Sequence, residues 1–294
     1  MIKKITGVLT AIVTPFTAEG DYHERAMRQQ IQRQLAAGNG IFCGGTNGEF
    51  FVLNEKEKLA VTATCVEEVA DKAFLVAHVG EISTRETIRL GKQVASMGVD
   101  AVSVITPYFV PLKQEELIAH YEAVADALEV PVFLYNIPAR TGNTLQPETV
   151  RMLAAHPNIV GIKDSAGSYE SLSGFLTAAK DTENFNVLNG PDSLIHQGFV
   201  DGCSACISGL ANVAPKEINA IWARFNDGDI EGSRKAQENV TGLRTDLYGV
   251  AFSPAAVKKA VALMGYDVGE SRYAVRFSAE EEQRIRQIVN QYTQ

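Results

Sequence analysis

Short apolar runs alternate with longer amphipathic segments through most of the chain. The runs rich in β-branched residues cover 7–15, 40–45, 73–80, 101–106, 131–137, 159–163, 185–189 and 202–208. Between and after them, helical spacing covers 24–37, 55–71, 83–97, 113–128, 146–155, 168–180, 193–199 and 215–226. The runs are apolar at consecutive positions rather than alternate ones, so both faces of each strand must be covered, as in a parallel sheet flanked by helices. Eight strand–helix repeats predict an α/β fold, a closed (β/α)8 TIM barrel. An open doubly wound sheet is the alternative, but no G-x-G-x-x-G follows the first strand, which runs on into Thr14-Pro15-Phe16 instead. After residue 227 the alternation stops, and 228–247, 254–265 and 279–292 read as helices. The expected organisation is a barrel over 1–227 with a C-terminal helical extension over 228–294 packed on it as a single structural unit.

Composition narrows the class without naming a function. At 46% hydrophobic and 21% charged, the 294-residue chain is ordinary for a globular protein and excludes intrinsic disorder. A net charge of −8 argues against a nucleic-acid partner, which calls for a basic face. No apolar run reaches membrane-spanning length, so no membrane association is expected. Lys3 and Lys4 are followed by a segment that Thr10, Thr14 and Pro15 interrupt, which does not read as a signal peptide. Four cysteines do not make a disulfide scaffold; the expected location is a reducing cytoplasm.

Lys163 is the first residue with chemistry to explain. It ends the run Asn158-Ile159-Val160-Gly161-Ile162, where a lysine is unusual. It is either a strand-end lysine whose amine reaches water or an amine in a poorly solvated site, available uncharged to attack a carbonyl. The C-terminal ends of barrel strands are where such sites sit. Tyr135 ends the neighbouring run Val132-Phe133-Leu134. Alone it reads as a core tyrosine; beside Lys163 it has the chemistry of a proton relay. The loop Gly44-Gly45-Thr46-Asn47-Gly48-Glu49 follows the second strand and precedes a helix. It is either an ordinary tight turn or a loop whose successive N–H groups hold a carboxylate or phosphate. Arg140, in Ala139-Arg140-Thr141-Gly142, is either a surface loop residue or a bidentate clamp for a second substrate carboxylate.

Other motifs carry less. Cys203-Ser204-Ala205-Cys206 is a C-x-x-C, but inside a strand its odd spacing sends the two side chains to opposite faces, so it predicts no metal or redox site. His23, His78, His120, His156 and His196 are scattered, and His78, within a strand run, reads as a hydrogen-bonded core residue. The chain lacks G-x-S-x-G, P-loop and H-E-x-x-H motifs, and nothing calls for a metal, nucleotide or flavin.

Gly45-Thr46-Asn47-Gly48-Glu49, Tyr135-Asn136-Ile137-Pro138 and Gly161-Ile162-Lys163-Asp164 occur in that order. This set resembles the dihydrodipicolinate synthase / N-acetylneuraminate lyase family of class I, lysine-dependent aldolases, and the likeness runs essentially the length of the chain. The resemblance implies a Schiff base between Lys163 and the C2 carbonyl of pyruvate or another 2-oxo acid, with no metal and no other cofactor. It implies Tyr135 as the proton shuttle, and Thr46 and Asn47 as the pair that holds the 2-oxo acid carboxylate. Ile207 matches a position on the pocket floor, and Gly190 and Asp192 match the region where the lyases contact the substrate's hydroxylated tail. Arg140 matches the arginine that binds the aldehyde substrate's carboxylate in the synthases. The family's dimers, usually paired into tetramers, imply a homodimer or homotetramer with Tyr108 and Phe109 near the dimer contact.

Within the family, three departures oppose the synthases. Thr46-Asn47 stands for Thr-Thr, Phe109 stands for a tyrosine that relays protons, and Phe252-Ser253-Pro254-Ala255-Ala256 stands for Asn-Pro-x-Pro. Gly48-Glu49-Phe50 is more like the 2-keto-3-deoxy sugar acid aldolases and dehydratases. The expected activity is a Schiff-base lyase acting on a 2-keto-3-deoxy sugar acid or a related hydroxy 2-oxo acid, with small-molecule 2-oxo acid and aldehyde partners. The alternatives are 4-hydroxy-tetrahydrodipicolinate synthesis from pyruvate and aspartate semialdehyde, and a non-catalytic barrel that binds oxo acids.

Overall fold

The structure is a computed structural model and describes residues 5–293. Residues 1–4, where part of the signal-peptide reading falls, lie outside the described residues. Eight strands follow one another: β1 (Gly7–Ala11), β2 (Gly40–Cys43), β3 (Leu75–His78), β4 (Ala101–Ile105), β5 (Val132–Asn136), β6 (Ile159–Asp164), β7 (Asn186–Asn189) and β8 (Ala205–Ser208). They close into a barrel in chain order, a (β/α)8 TIM fold. Every strand residue is buried except Asn186, which is half-buried. That is why the runs show no alternation: one face fills the barrel and the other packs under helices.

The helices are α1 (Glu24–Ala36), α2 (Glu55–Val69), α3 (Thr84–Ala95), α4 (Gln114–Ala127), α5 (Pro138–Thr141), α6 (Pro147–Leu153), α7 (Tyr169–Ala178), α8 (Ile195–Asp201), α9 (Pro215–Asn226), α10 (Ile230–Tyr248), α11 (Ser253–Leu263) and α12 (Ala279–Tyr292). Some of their starts carry side-chain caps. Asn54 and Glu57 form a reciprocal capping box on α2, and Ser278 and Glu281 form one on α12. Among the described residues no helix is long and apolar enough to cross a membrane.

Three differences from the sequence reading bear on the site and its motifs. The apolar run 7–15 is strand only to Ala11; Ile12–Pro15 continues as buried loop, pinned where the Asn212 side chain accepts from Val13 N–H at 3.0 Å. Apolarity marks burial, not pairing, so the pattern could not separate the two. The run 202–208 pairs only from Ala205. Cys203 therefore lies in the turn after α8, its N–H donating to Gly198, and the opposite-faces argument against the C-x-x-C does not apply. What the structure gives instead is burial, which pushes the Cys203 thiol up to about 12 and Cys206 above its usual range as well. Finally, Arg140 sits not in a loop but on α5, a single turn that Pro138 starts and Gly142, at φ +77°, ends.

Contacts cluster into two units, one taking in Val76–Ile207 and the other Gly7–Leu75 with the chain from Ser208 onward. In the first, the β5–β6–β7 ladder sets Tyr135 opposite Lys163 and Lys163 opposite Leu188. In the second, buried amides lock the end of β1: Asn212 Nδ2 donates to Ala11 O, and Gln34 joins Thr10 to Ala211 O. α11 is buried along most of its length, with Lys258 and Lys259 among its buried residues.

Candidate active site

Tyr135 and Lys163 are cross-strand neighbours in a parallel ladder, so their side chains leave the sheet on the same face. Lys163 Nζ lies 4.1 Å from the centroid of the Tyr135 ring. Both are buried, at 4% and 1% exposure, which rules out the strand-end lysine reaching into water. The close approach of the neighbouring strands explains Gly161. A Cβ there would lie 2.3 Å from Asn186 O and 2.6 Å from the Phe133 ring, so only glycine lets β6 run between β5 and β7 with Lys163 in register.

The next residue on each strand faces the other way and does structural work. Asn136 Nδ2 donates to Asp164 Oδ1 at 2.9 Å, and Asn136 Oδ1 accepts from Leu145 N–H. Burial pushes the Asp164 carboxyl above its usual range, with the bonds from Asn136 and Ala166 N–H opposing. Each of the dipeptides Tyr135-Asn136 and Lys163-Asp164 therefore pairs a member of the Tyr135–Lys163 contact with a brace on the other face. His78, at the end of β3, sets its ring edge-on to Tyr135 with centroids 5.9 Å apart. The sequence reads it as a hydrogen-bonded core residue, within the run 73–80; only tertiary proximity sets it against Tyr135.

The loops beyond β4 and β5 are tied together by residues that the sequence did not single out. Thr106 Oγ1 donates to Thr141 Oγ1, linking the end of β4 to the end of α5. Asn143 Nδ2 donates to Pro107 O and Val110 O at 2.7 and 2.8 Å, and its Oδ1 accepts from Leu112 N–H. This clamp holds the loop bearing Tyr108 and Phe109. Burial and the Glu81 carboxylate push the Tyr108 phenol up to about 12. Phe109 is the reverse case: 91% exposed and at φ +75°, a conformation that a bulky residue adopts only under constraint. Arg140 is exposed on α5.

Gly190 follows β7, and its N–H donates to Asp164 O at 2.8 Å. A Cβ there would sit 2.1 Å from Ser165 Oγ. Asp192 is buried at the start of the one-turn helix Asp192–Leu194, and Ile207 is buried in β8. Thus Lys163, Tyr135 and His78 come together, while Gly190 braces the strand ends beside them. Thr46 and Asn47 belong to the other unit.

There the loop 44–49 does not open the following α-helix, as the sequence suggested. It enters the one-turn 3-10 helix Phe50–Val52, and α2 starts only at Glu55. The loop is internally closed: Glu49 N–H donates to Thr46 O, Phe50 N–H to Gly45 O, and Thr14 Oγ1 to Gly48 O. Thr46 and Asn47 are half-buried at its tip. Asn47 packs so closely on Gly209 that a Cβ there would lie 2.9 Å from its Nδ2.

A closed (β/α)8 barrel with a buried lysine near the C-terminal end of β6 and a tyrosine beside it is the architecture of the lysine-dependent lyases, the class I aldolases. The family model described as the dihydrodipicolinate synthetase family matches residues 4–292. The chain is 38% identical over 260 residues to the 4-hydroxy-tetrahydrodipicolinate synthase of Hyphomonas neptunium, covering 88% of each. Among solved structures it superposes on the dihydrodipicolinate synthase of Thermotoga maritima with a TM-score of 0.94, 30% identity and 99% of both chains covered. It also matches YagE, an E. coli K12 prophage protein of that family solved with pyruvate, at TM-score 0.93 and 28% identity over 98% of both chains. The chain belongs to the dihydrodipicolinate synthetase family, whose members are Schiff-base lyases.

Proposed function

We propose that Lys163 forms a Schiff base with the C2 carbonyl of pyruvate or a pyruvate-derived 2-oxo acid, and that the enzyme makes or breaks the bond between C3 and C4, one carbon removed from that centre. The observation that carries this reading is the buried pairing of Lys163 with Tyr135. The amine adds to the carbonyl to give a carbinolamine, which loses water to leave an iminium. The iminium is the electron sink: it accepts the electron pair of the breaking bond as an enamine, or an enamine formed by deprotonation attacks an aldehyde. Tyr135 moves the proton at the carbinolamine oxygen and at the aldehyde oxygen. Thr46 and Asn47, by their match to the family motif, take the 2-oxo acid carboxylate. Gly190 and Asp192 face the substrate's tail, and Ile207 contributes apolar floor.

For the second substrate, the residues favour a 2-keto-3-deoxy sugar acid or a related hydroxy 2-oxo acid, cleaved to pyruvate and an aldehyde or dehydrated. Phe109 supplies no hydroxyl for a proton relay, and Thr46-Asn47 departs from the synthase pair. A second reading, condensation of pyruvate with aspartate semialdehyde, draws support from relatives such as the H. neptunium synthase and from Arg140. Tyr108 and Phe109 are the proposed contacts of a homodimer or homotetramer; the exposure of Phe109 supports a surface awaiting a second copy.

Two assays separate the substrates. One couples pyruvate and aspartate semialdehyde to product reduction; the other follows pyruvate release from 2-keto-3-deoxygluconate and its relatives. Sugar-acid cleavage without turnover of the semialdehyde supports the first reading. Turnover of the semialdehyde far above any sugar acid replaces it with the second.

A further inference from the structure

Glu49 closes the loop that carries Thr46 and Asn47, and it is an odd residue to find there. Its backbone is left-handed, at φ +59°, a conformation costly for a side chain of this kind. Its carboxylate is buried, at 1% exposure, rather than turned to water. Oε1 accepts from Lys258 Nζ at 2.8 Å, and Oε2 accepts from Arg272 N–H at 3.0 Å. Lys258 comes from α11 and is itself 1% exposed, with Nζ 3.8 Å from the centroid of the Phe16 ring. Arg272 lies over the same ring at 4.0 Å, and its guanidinium donates to Glu57 and to Gly20 O. Burial pulls the Lys258 ammonium down to about 8, with the Glu49 carboxylate opposing.

A buried ion pair is a weak source of stability, because desolvating both charges offsets most of their attraction. It is a strong geometric constraint, because neither partner can relax without leaving a buried charge unpaired. Here the constraint acts on one short segment. Glu49 N–H bonds Thr46 O, so fixing Glu49 from α11 and from Arg272 fixes the turn that presents the N–H groups of residues 46 and 47. We propose that Glu49 is a positioning residue, anchored by Lys258, that holds the 44–49 loop in the geometry that receives the substrate carboxylate. This rests on the reading in which Thr46 and Asn47 take the carboxylate of a 2-oxo acid bound to Lys163.

The test titrates pyruvate against borohydride trapping in wild type, Glu49→Gln, Lys258→Met and the double variant, with thermal midpoints measured in parallel. Glu49→Gln keeps volume and backbone but removes the charge, and is the deciding variant should Lys258→Met fail to fold. A rise of about tenfold in half-saturating pyruvate is expected in each single variant, equal to about 1.4 kcal/mol of binding. Trapping at saturation should be unchanged, and the double variant should be no worse than the singles. Ser278→Ala is the structural control: it removes the capping box of α12, away from the Glu49 anchor, and should lower the thermal midpoint while leaving half-saturation where it was. Folded Glu49→Gln with wild-type half-saturation would overturn the positioning role. Equal shifts in Ser278→Ala would reduce it to general stability. Absence of any adduct in wild type would instead remove the reading of Lys163, and this proposal with it.

Discussion

Lys163 and Tyr135 acquire chemical meaning from each other. In the proposed reaction, a buried amine with a phenol ring against it meets the incoming carbonyl. Lys163→Ala is expected to abolish turnover while circular dichroism stays native. Tyr135→Phe keeps the ring and removes only the hydroxyl, so it should lower kcat by about 100-fold or more, the scale of lost acid–base catalysis; unchanged kinetics would take the hydroxyl out of the mechanism. Arg140→Ala should raise KM for substrates bearing a second carboxylate and leave pyruvate affinity alone. The pairing of Lys163 with Tyr135 was legible in the sequence because each residue ends an apolar run where its side chain is out of place. His78 and Asn143 were not. A histidine in a strand and an asparagine in a turn have common structural uses, and only tertiary proximity distinguishes them.

At the level of elements, the strand ends are held by a few buried amides rather than by the strands themselves. Asn143 alone satisfies Pro107 O and Val110 O and accepts from Leu112 N–H. Asn143→Ala leaves these groups without their partner, which should cost about 1–3 kcal/mol and open the 107–112 loop to limited proteolysis; urea unfolding and digestion read the two effects. Gly161→Ala should be worse, since its methyl meets the backbone of β7 at 2.3 Å and nothing flexible can yield. Poor expression or a lowered thermal midpoint is the expected result, and a stable Gly161→Ala protein would show that β6 and β7 can part. The strands and most helices were readable from periodicity to within a few residues. The misses were buried loop read as strand at 12–15 and 202–204, the 3-10 turn between the 44–49 loop and α2, and the single turn α5 read as loop. None is a segment long enough for its period to register.

At the scale of the whole molecule, the acidic composition and unbroken apolar strands fixed the class, while titration behaviour came only with coordinates. Burial holds the His120 imidazole down to about 4, with Thr84 Oγ1 2.8 Å from its Nδ1. An unfolded histidine titrates near 6.5, so between these values the unfolded chain binds more protons than the folded one. The stability that this site contributes is therefore complete above about pH 6.5 and falls away toward pH 4, by roughly 3 kcal/mol at full protonation. Replacing His120 with Gln should flatten the acid limb of a stability–pH curve, and an unchanged slope would assign acid sensitivity to other groups. Assembly belongs to this scale too: Phe109→Ser should weaken self-association in sedimentation experiments if that side chain meets a second copy. The family was legible because three short motifs keep their order and spacing over the chain. Substrate choice was not, since the roles proposed for Arg140 and Phe109 are set by what approaches them.

The chemistry at Lys163 is most directly tested by borohydride reduction in the presence of pyruvate, followed by peptide mass mapping. A reduced pyruvyl adduct on the peptide containing Lys163, absent in Lys163→Ala, is the expected result. Folded protein that yields no adduct with pyruvate or with larger 2-oxo acids, or an adduct on a different lysine, would contradict it.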